Sequence, residues 1–300
     1  MLSVLKSAAL PIRAGVHDGM FHADDVLCAA LLYIAYGREN VTVVRSRDPQ
    51  VLAGCQIVLD VGGQDLITDS RVCLDHHQAG SLIRENGVKA AACGKLADLM
   101  FADEPRVLAA MREAFLDDVE AQDNGQQGHQ RHLFSFVHTL NRTWKDPAQE
   151  DDARFLQAAA IAEQILSARL AHIRSSLEAE SIIDSAIRTT YDRGVVRLPQ
   201  CFEWVRQVVA HNDLHPEQKI LFVIYPADGA FNLQVVPVSA DSFEALLPLP
   251  ASWAAKRDEA LAAATGIEGS VFCHAARFLA VFRTLEGALQ AAELALQAKD

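Results

Sequence analysis

The chain lacks a cysteine pair, a long apolar run and any basic surplus. Its six cysteines (Cys28, Cys55, Cys73, Cys93, Cys201 and Cys273) are scattered with no CxxC spacing. Neither a disulfide framework nor a cysteine-based zinc site has support in such a pattern. Most of them sit in apolar stretches such as "VLCAALL" and "RVCLDHH", where cysteine acts as a small buried hydrophobe. No run reaches the roughly 18 apolar residues of a membrane span. "MLSVLKSAAL" holds Lys6 and gives way to Pro11 and Arg13 without a signal-peptide core, so a soluble, cytoplasmic protein with no membrane partner is expected. The net charge of −12 argues against a broad basic face for duplex nucleic acid. A short anionic partner stays compatible, because bound cations can dominate the local charge.

What is present is an ordinary globular balance. Of the 300 residues, 50% are hydrophobic and 22% charged, and the length suits two domains. Short strand-like runs alternate with helical ones: "IRAGVH", then the helix "ADDVLCAALLYIAYG" closed by Gly37, then "NVTVVRS", "CQIVLDVGG" and "RVCLDHH". "AAACGKLADLMF" and "EPRVLAAMREAFLDDVEAQDNG" read as helices, the second ending near Asn124-Gly125. Polar "KDPAQEDDARF" marks a boundary, and the 153–188 stretch that follows carries apolar residues at helical spacing. It reads first as an interdomain connector, unbroken or split near Ser175-Ser176, and second as a homodimer contact. Beyond it come "GVVRLP", a helix at 202–210, "KILFVIYP" and "FNLQVVPV" joined by a hairpin at Asp228-Gly229, a helix over 252–264, "SVFCHA", "RFLAVFR" and a last helix from Thr284. The expected fold class is therefore α/β, with a mainly parallel sheet flanked by helices in residues 1–150, a helical connector in 151–190 and a smaller mixed α/β domain in 191–300.

The chemistry gathers where strands end. "VHDGMFHADD" packs His17, His22, Asp24 and Asp25 together; Asp60 ends "IVLD" before Gly62-Gly63; Asp75 ends "RVCLD" before His76-His77. In open α/β sheets, ligand sites lie outside the carboxyl ends of the strands. Three strands thus aim these groups at one edge, with Asp123 at a helix end as a fourth contributor. Each has an everyday alternative, since an Asp after a strand commonly caps a turn. Their joint occurrence is what points to a site. Imidazoles and carboxylates without thiolates suit Mn²⁺, Mg²⁺, Fe²⁺ or Zn²⁺. The donors outnumber the needs of one tetrahedral ion, whereas two ions about 3.5–4 Å apart sharing a carboxylate would use them.

These stretches resemble a known family. Asp75-His76-His77 is the signature triplet of the DHH phosphoesterase superfamily, and "HDGMFHADD", "VRSRDP", "IVLDVGG", "LDHHQ", "DNG", "SFEALLPLPASW", "RDEAL" and "FCHAARFL…RTLEGAL" follow the order of its melanocyte-proliferating-gene branch over residues 14 to 296. The resemblance implies a DHH-type metal-binding catalytic domain followed by a substrate-recognition domain. It implies His17 and His22 on one metal ion, Asp24, His76 and Asp123 on a second, and Asp60 bridging both. Asp75 would orient the histidine pair, His77 would meet a substrate phosphate oxygen, and Arg45 and Arg47 would be further phosphate contacts. Asp25 reads instead as a first-turn acid favoured by the helix dipole. The second domain departs from the family. Ala280-Val281-Phe282 stand where relatives carry Gly-Gly-His, and Leu246 and Ala254 stand where arginines are usual; His274 and Arg283 are the remaining polar candidates there.

The activity so implied is two-metal hydrolysis of a phosphodiester, with Mn²⁺ as the expected ion and 3′-to-5′ exonuclease action on short single-stranded RNA or DNA. Two alternatives stand beside it: a phosphatase or pyrophosphatase acting on a small nucleotide-like metabolite, and a metal-binding protein whose catalysis has lapsed. The aromatic-rich "HLFSFVHTLNRTW", residues 132–144, reads as core more than as a nucleobase-stacking surface.

Overall fold

The computed structural model describes residues 10–126 and 133–298. "MLSVLKSAA" and His132 lie outside the described residues. The chain divides into two compact units, one up to Arg174 and one from Ser175.

In the first unit, β1 (Ile12–Val16), β2 (Val41–Arg45), β3 (Ile57–Leu59), β4 (Leu66–Ile67) and β5 (Val72–Leu74) form one sheet in the order β2-β1-β3-β5-β4. All neighbours run parallel except the short edge strand β4, a two-residue element with no alternating pattern to betray it. Because β2 lies on one side of β1 and β3 on the other, the chain reverses its direction of travel between β1 and β3. A switch of this kind opens a crevice at the carboxyl ends of the two strands.

Helix α1 (Ala23–Tyr36) is buried from Asp24 to Tyr33 and ends at Gly37, whose φ of 82° is a conformation glycine adopts freely. A short α2 (Pro49–Ala53) follows β2 and is capped by Asp48, which accepts from Gln50 N–H. α3 (Ala92–Met100) packs on α1 and opens with the small residues Ala92, Cys93 and Gly94, all buried. The single helix expected before Asn124 is instead α4 (Pro105–Met111), a five-residue π segment at Arg112–Leu116 and α5 (Asp117–Asp123). The wider π turn changes the phase between the two helices. α6 (Val137–Leu140) is short.

Helix α7 (Asp151–Thr190) is unbroken through Ser175-Ser176 and passes from the first unit to the second. In the second unit, β6 (Val195–Arg197), β7 (Phe222–Ala227), β8 (Ala230–Val235), β9 (Ser270–Cys273) and β10 (Leu279–Phe282) make a mixed sheet in the order β6-β7-β8-β10-β9. β7 and β8 form the hairpin about Asp228-Gly229. Alternation along β7 serves two cores. Phe222 and Ile224 join one cluster with the alanines of α10 (Leu285–Gln297), while Val223 and Tyr225 join another with α7 and α8 (Val205–Leu214).

The helix expected over 252–264 is not formed as such. Ala251–Trp253 make a 3-10 turn, Ala255 sits at φ 59°, and α9 (Asp258–Thr265) starts only afterwards; a left-handed residue cannot continue a right-handed helix. All six cysteines are free, five of them buried. No helix among the described residues is long and apolar enough to cross a membrane.

At the start of α3, Glu120 is fully buried, accepts from Ala91 N–H at 3.1 Å and pairs with Arg84 and Arg112. A Cβ on Gly94 would stand 1.7 Å from the Glu120 carboxylate oxygen. Gly94→Ala should therefore destabilise the first unit by at least about 1–3 kcal/mol through overpacking. Urea unfolding followed by far-UV circular dichroism checks this, and an unchanged midpoint would contradict the packing described.

Candidate metal centre

The three strand ends deliver what the sequence placed on them. His17 follows β1, Asp60 follows β3, and Asp75-His76-His77 follow β5. Asp60 adopts φ 57°, a left-handed conformation that Asp tolerates better than most residues. Gly62 and Gly63 continue the turn at φ 100° and 68°. This tight reversal lets Gly63 N–H donate to Asp75 Oδ2 at 2.5 Å.

Asp60 is buried between two imidazoles, with His17 Nε2 3.4 Å from one oxygen and His76 Nε2 3.2 Å from the other. Burial pushes its carboxyl up, but the two histidines outweigh this and bring it down to about 2. Asp123, the last residue of α5, places Oδ2 2.9 Å from His76 Nε2 and Oδ1 3.6 Å from His22 Nδ1. Asp24 is fully buried, and its oxygens accept from Ala92 N–H at 3.0 Å and Cys93 N–H at 2.6 Å. The unpaired amides of the α3 N-terminus thus face this carboxylate.

Asp24, Asp60, His76 and Asp123 each present one ligand atom within 4.8 Å of all the others, and Asp60, His76 and His77 form a second such group. Three buried polar atoms of the region, Asp60 Oδ1, His76 Nε2 and Asp25 Oδ2, lack a well-aligned hydrogen bond among the described residues, although each lies 2.9–3.3 Å from a histidine or carboxylate neighbour. Buried polar groups are nearly always satisfied, and atoms that crowd together without bonding suit a shared cation. The donor set and these orphaned atoms fit a divalent ion.

The remaining residues hold these in place. Asp75 is saturated: besides Gly63, it accepts from His76 N–H at 2.7 Å, His77 N–H at 3.1 Å and His77 Nδ1 at 2.7 Å. It orients the His77 ring directly. The His76 ring is instead fixed through Nδ1, 3.0 Å from Asn124 Oδ1. Asn124 in turn donates to the carbonyls of Lys89 and Glu120 at 2.9 Å each. Asn141 clamps the loop before α1, accepting from Phe21 N–H at 2.9 Å and donating to Phe21 O at 2.8 Å. Lys95 Nζ reaches Asp65 Oδ2 at 2.6 Å and the Asp75 carbonyl at 2.5 Å. Asn141, Lys95 and Asp65 do not stand out in the sequence, where no motif marks them. Asn124 stands inside "DNG", which is the signal that could have found it.

Several expected residues take other positions. Asp25 caps α1 through Oδ1, which accepts from His22 N–H at 2.8 Å, as a first-turn acid should. Its Oδ2, however, faces His17 Nε2 at 3.3 Å, and burial raises its carboxyl to about 7. His22 is largely exposed and turned toward Asp123; it belongs to neither group of clustered ligand atoms.

Arg45 departs from the phosphate-contact expectation. Its side chain is only 2% exposed, donates to Gly19 O at 2.5 Å, pairs with Asp152 at 3.1 Å and lies over the Phe21 and Phe155 rings. It anchors the loop instead. Arg47 is exposed, pairs with Asp18, and lines a cavity of about 410 Å³ with His17, His22, Asp60, Gly62, Gly63 and His77. His274 and Arg283 belong to the second unit. There His274 Nδ1 accepts from Ala276 N–H at 3.0 Å beside the Phe278 ring, and Arg283 is exposed after β10. Ala280 and Phe282 are core residues of that strand, so this segment is plain sheet.

In the metal-free protein, burial lowers the affinity of both buried histidines for protons, but the carboxylates facing them dominate. Asp123, Asp60 and Asp24 hold His76 up to about 11, and Asp60 and Asp25 hold His17 up to about 9. Both rings are therefore held toward their protonated forms at neutral pH, and an ion bound through them would have to displace those protons. Mn²⁺ affinity should rise with pH, and binding heats should scale with buffer ionisation enthalpy. Titration calorimetry at about pH 6.5 and about pH 8 reads both effects; equal affinities would exclude these rings as ligands.

The profile of the family described as "Uncharacterised protein family (UPF0160)" matches residues 13–296. The "MYG1 exonuclease" of Homo sapiens is 32% identical over 325 residues, covering 95% of this chain and 86% of that protein. The "MYG1 protein" of Chlamydia trachomatis is 29% identical over 301 residues, covering 96% and 98%. Among solved structures, RecJ from Thermus thermophilus in complex with Mn²⁺ shares 16% identity at a TM-score of 0.29, over 96% of this chain and 52% of that one, too slight a likeness to bear on the assignment. On the match that spans nearly its whole length, the chain belongs to the family described as Uncharacterised protein family (UPF0160).

Proposed function

We propose that this protein is a two-metal phosphodiesterase that removes nucleotides from the 3′ end of short single-stranded RNA or DNA, with Mn²⁺ as its working ion. The observation that carries the reading is the cluster of Asp24, Asp60, His76 and Asp123, with ligand atoms within 4.8 Å of one another and Asp60 reaching His17 on its other oxygen. Relatives named exonucleases support it.

In this reading Asp24, His76 and Asp123 would hold one ion and His17 and His22 the other, with the Asp60 carboxylate available to both. Bound there, divalent ions supply positive charge to phosphoryl oxygens and a nucleophile at neutral pH. The protein's own groups do the rest. Asp75 fixes the His77 ring through Nδ1 and so leaves Nε2 of this exposed ring to meet a phosphate oxygen and exchange a proton with the leaving group. Arg47, exposed at the rim of the cavity, offers a guanidinium to the phosphate. A net charge of −12 favours short substrates that dock at the metals over long duplexes held by a basic surface.

Asp60→Asn removes the bridging charge and should lower turnover of a 5′-labelled single-stranded RNA by about 10³-fold or more, while His77→Ala should lower it by about 10²–10⁴-fold with metal content unchanged. Gel time courses with Mn²⁺ read both. A ladder shortening from the 3′ end is expected. Activity that survives in Asp60→Asn contradicts the two-metal assignment, and release of orthophosphate from pyrophosphate or mononucleotides without a ladder would replace the nuclease reading by a phosphatase one.

A further inference from the structure

Beside the metal cavity lies a second one, of about 170 Å³, in the same unit. The two share His22 and Asp123 as a common wall. The far side is made by Phe21, Phe134 and Val137, core residues that present rings and methyls. From Phe134 to His138 four residues line the cavity: Phe134 and Val137 as core residues that reach it at their edges, Ser135 and His138 as polar ones. Ser135 Oγ is buried there and makes no hydrogen bond among the described residues, and His138 is exposed at the edge.

We propose that this cavity receives the nucleobase of the nucleotide being released. The inference rests on the phosphodiesterase reading of the neighbouring site. A phosphate held at the metals leaves the attached nucleoside to occupy adjoining space, and this cavity adjoins through the metal-site residues themselves. Its apolar walls suit the face of a heteroaromatic ring, and its volume suits one ring system. The idle Ser135 hydroxyl, which can donate and accept, suits the polar edge of a base. Among the described residues no lysine or arginine lines the cavity, and Asp123 borders it, so its chemistry does not select a second phosphate.

The test is equilibrium binding without turnover. Adenosine 5′-monophosphate and ribose 5-phosphate carry the same phosphate and sugar and differ in the base. Calorimetry on the full chain loaded with Ca²⁺ should show about tenfold tighter binding of the nucleotide, the scale of one stacked base. Ser135→Val and His138→Ala should each reduce that preference and leave ribose 5-phosphate affinity unchanged. His138 is exposed, so its variant remains informative if the Ser135 variant folds poorly. Equal affinities for the two ligands in the wild type overturn the inference, as does a preference that persists undiminished in both variants. Hydrolysis is scored separately: a base preference without RNA cleavage would keep the pocket and reject the nuclease reading, and cleavage without a base preference would do the reverse.

Discussion

Three carboxylates, those of buried Asp24 and Asp60 and of half-buried Asp123, converge on one imidazole, and the first unit is organised around that repulsion. Asp24 is the plainest case. Burial and the neighbouring charges of Asp60 and Asp123 push its carboxyl well above the usual range, while bonds from Cys93 pull it back. Like charges crowded at a largely buried site favour a compensating cation. In the metal-free chain, protons on His17 and His76 supply that charge. A divalent ion held through these rings would take over that role, and its uptake would then be coupled to proton release.

The scaffold makes this crowding tolerable by aiming backbone amides at it. The α3 N-terminus faces Asp24 and Glu120, and the Gly63 amide with those of His76 and His77 saturates Asp75. The site thus has two layers. Asp24, Asp60, His76 and Asp123 bring ligand atoms within 4.8 Å of one another, while Asp75, Asn124, Asn141, Lys95 and Arg45 fix rings and loops. Asp75 and Asp60 are both acids at strand ends, yet they differ in this respect. Asp75 has its oxygens engaged by amides and a ring, whereas Asp60 Oδ1 is left without a hydrogen bond among the described residues.

The second unit follows a different logic. Its segment Ala280-Val281-Phe282 lies in a strand paired on both sides, with Ala280 and Phe282 in the core. Glycines would have allowed a ligand close to the backbone; alanine and phenylalanine serve packing instead. Phe282 is buried against the alanines of α10, in keeping with a sheet built for its own core.

Much of this was legible in the residues. Short β-branched runs alternating with helical ones implied a parallel sheet, and strand-end placement put His17, Asp60, Asp75, His76 and His77 on one edge. Local pattern could not show the π segment before α5, the two-residue β4, or the break at Ala255, because each depends on backbone geometry that many sequences share. The chain by itself determined which side chains the strand ends carry, since a strand's exit residue is fixed by where its apolar run stops. Tertiary structure alone decided their division of labour. Arg45 became a buried anchor rather than a free cation because Phe21 and Phe155 fold over it, and Asp25 gained a second face toward His17 because α1 is buried there. Asn141 became a clamp on a loop 120 residues away, a pairing that no local spacing records.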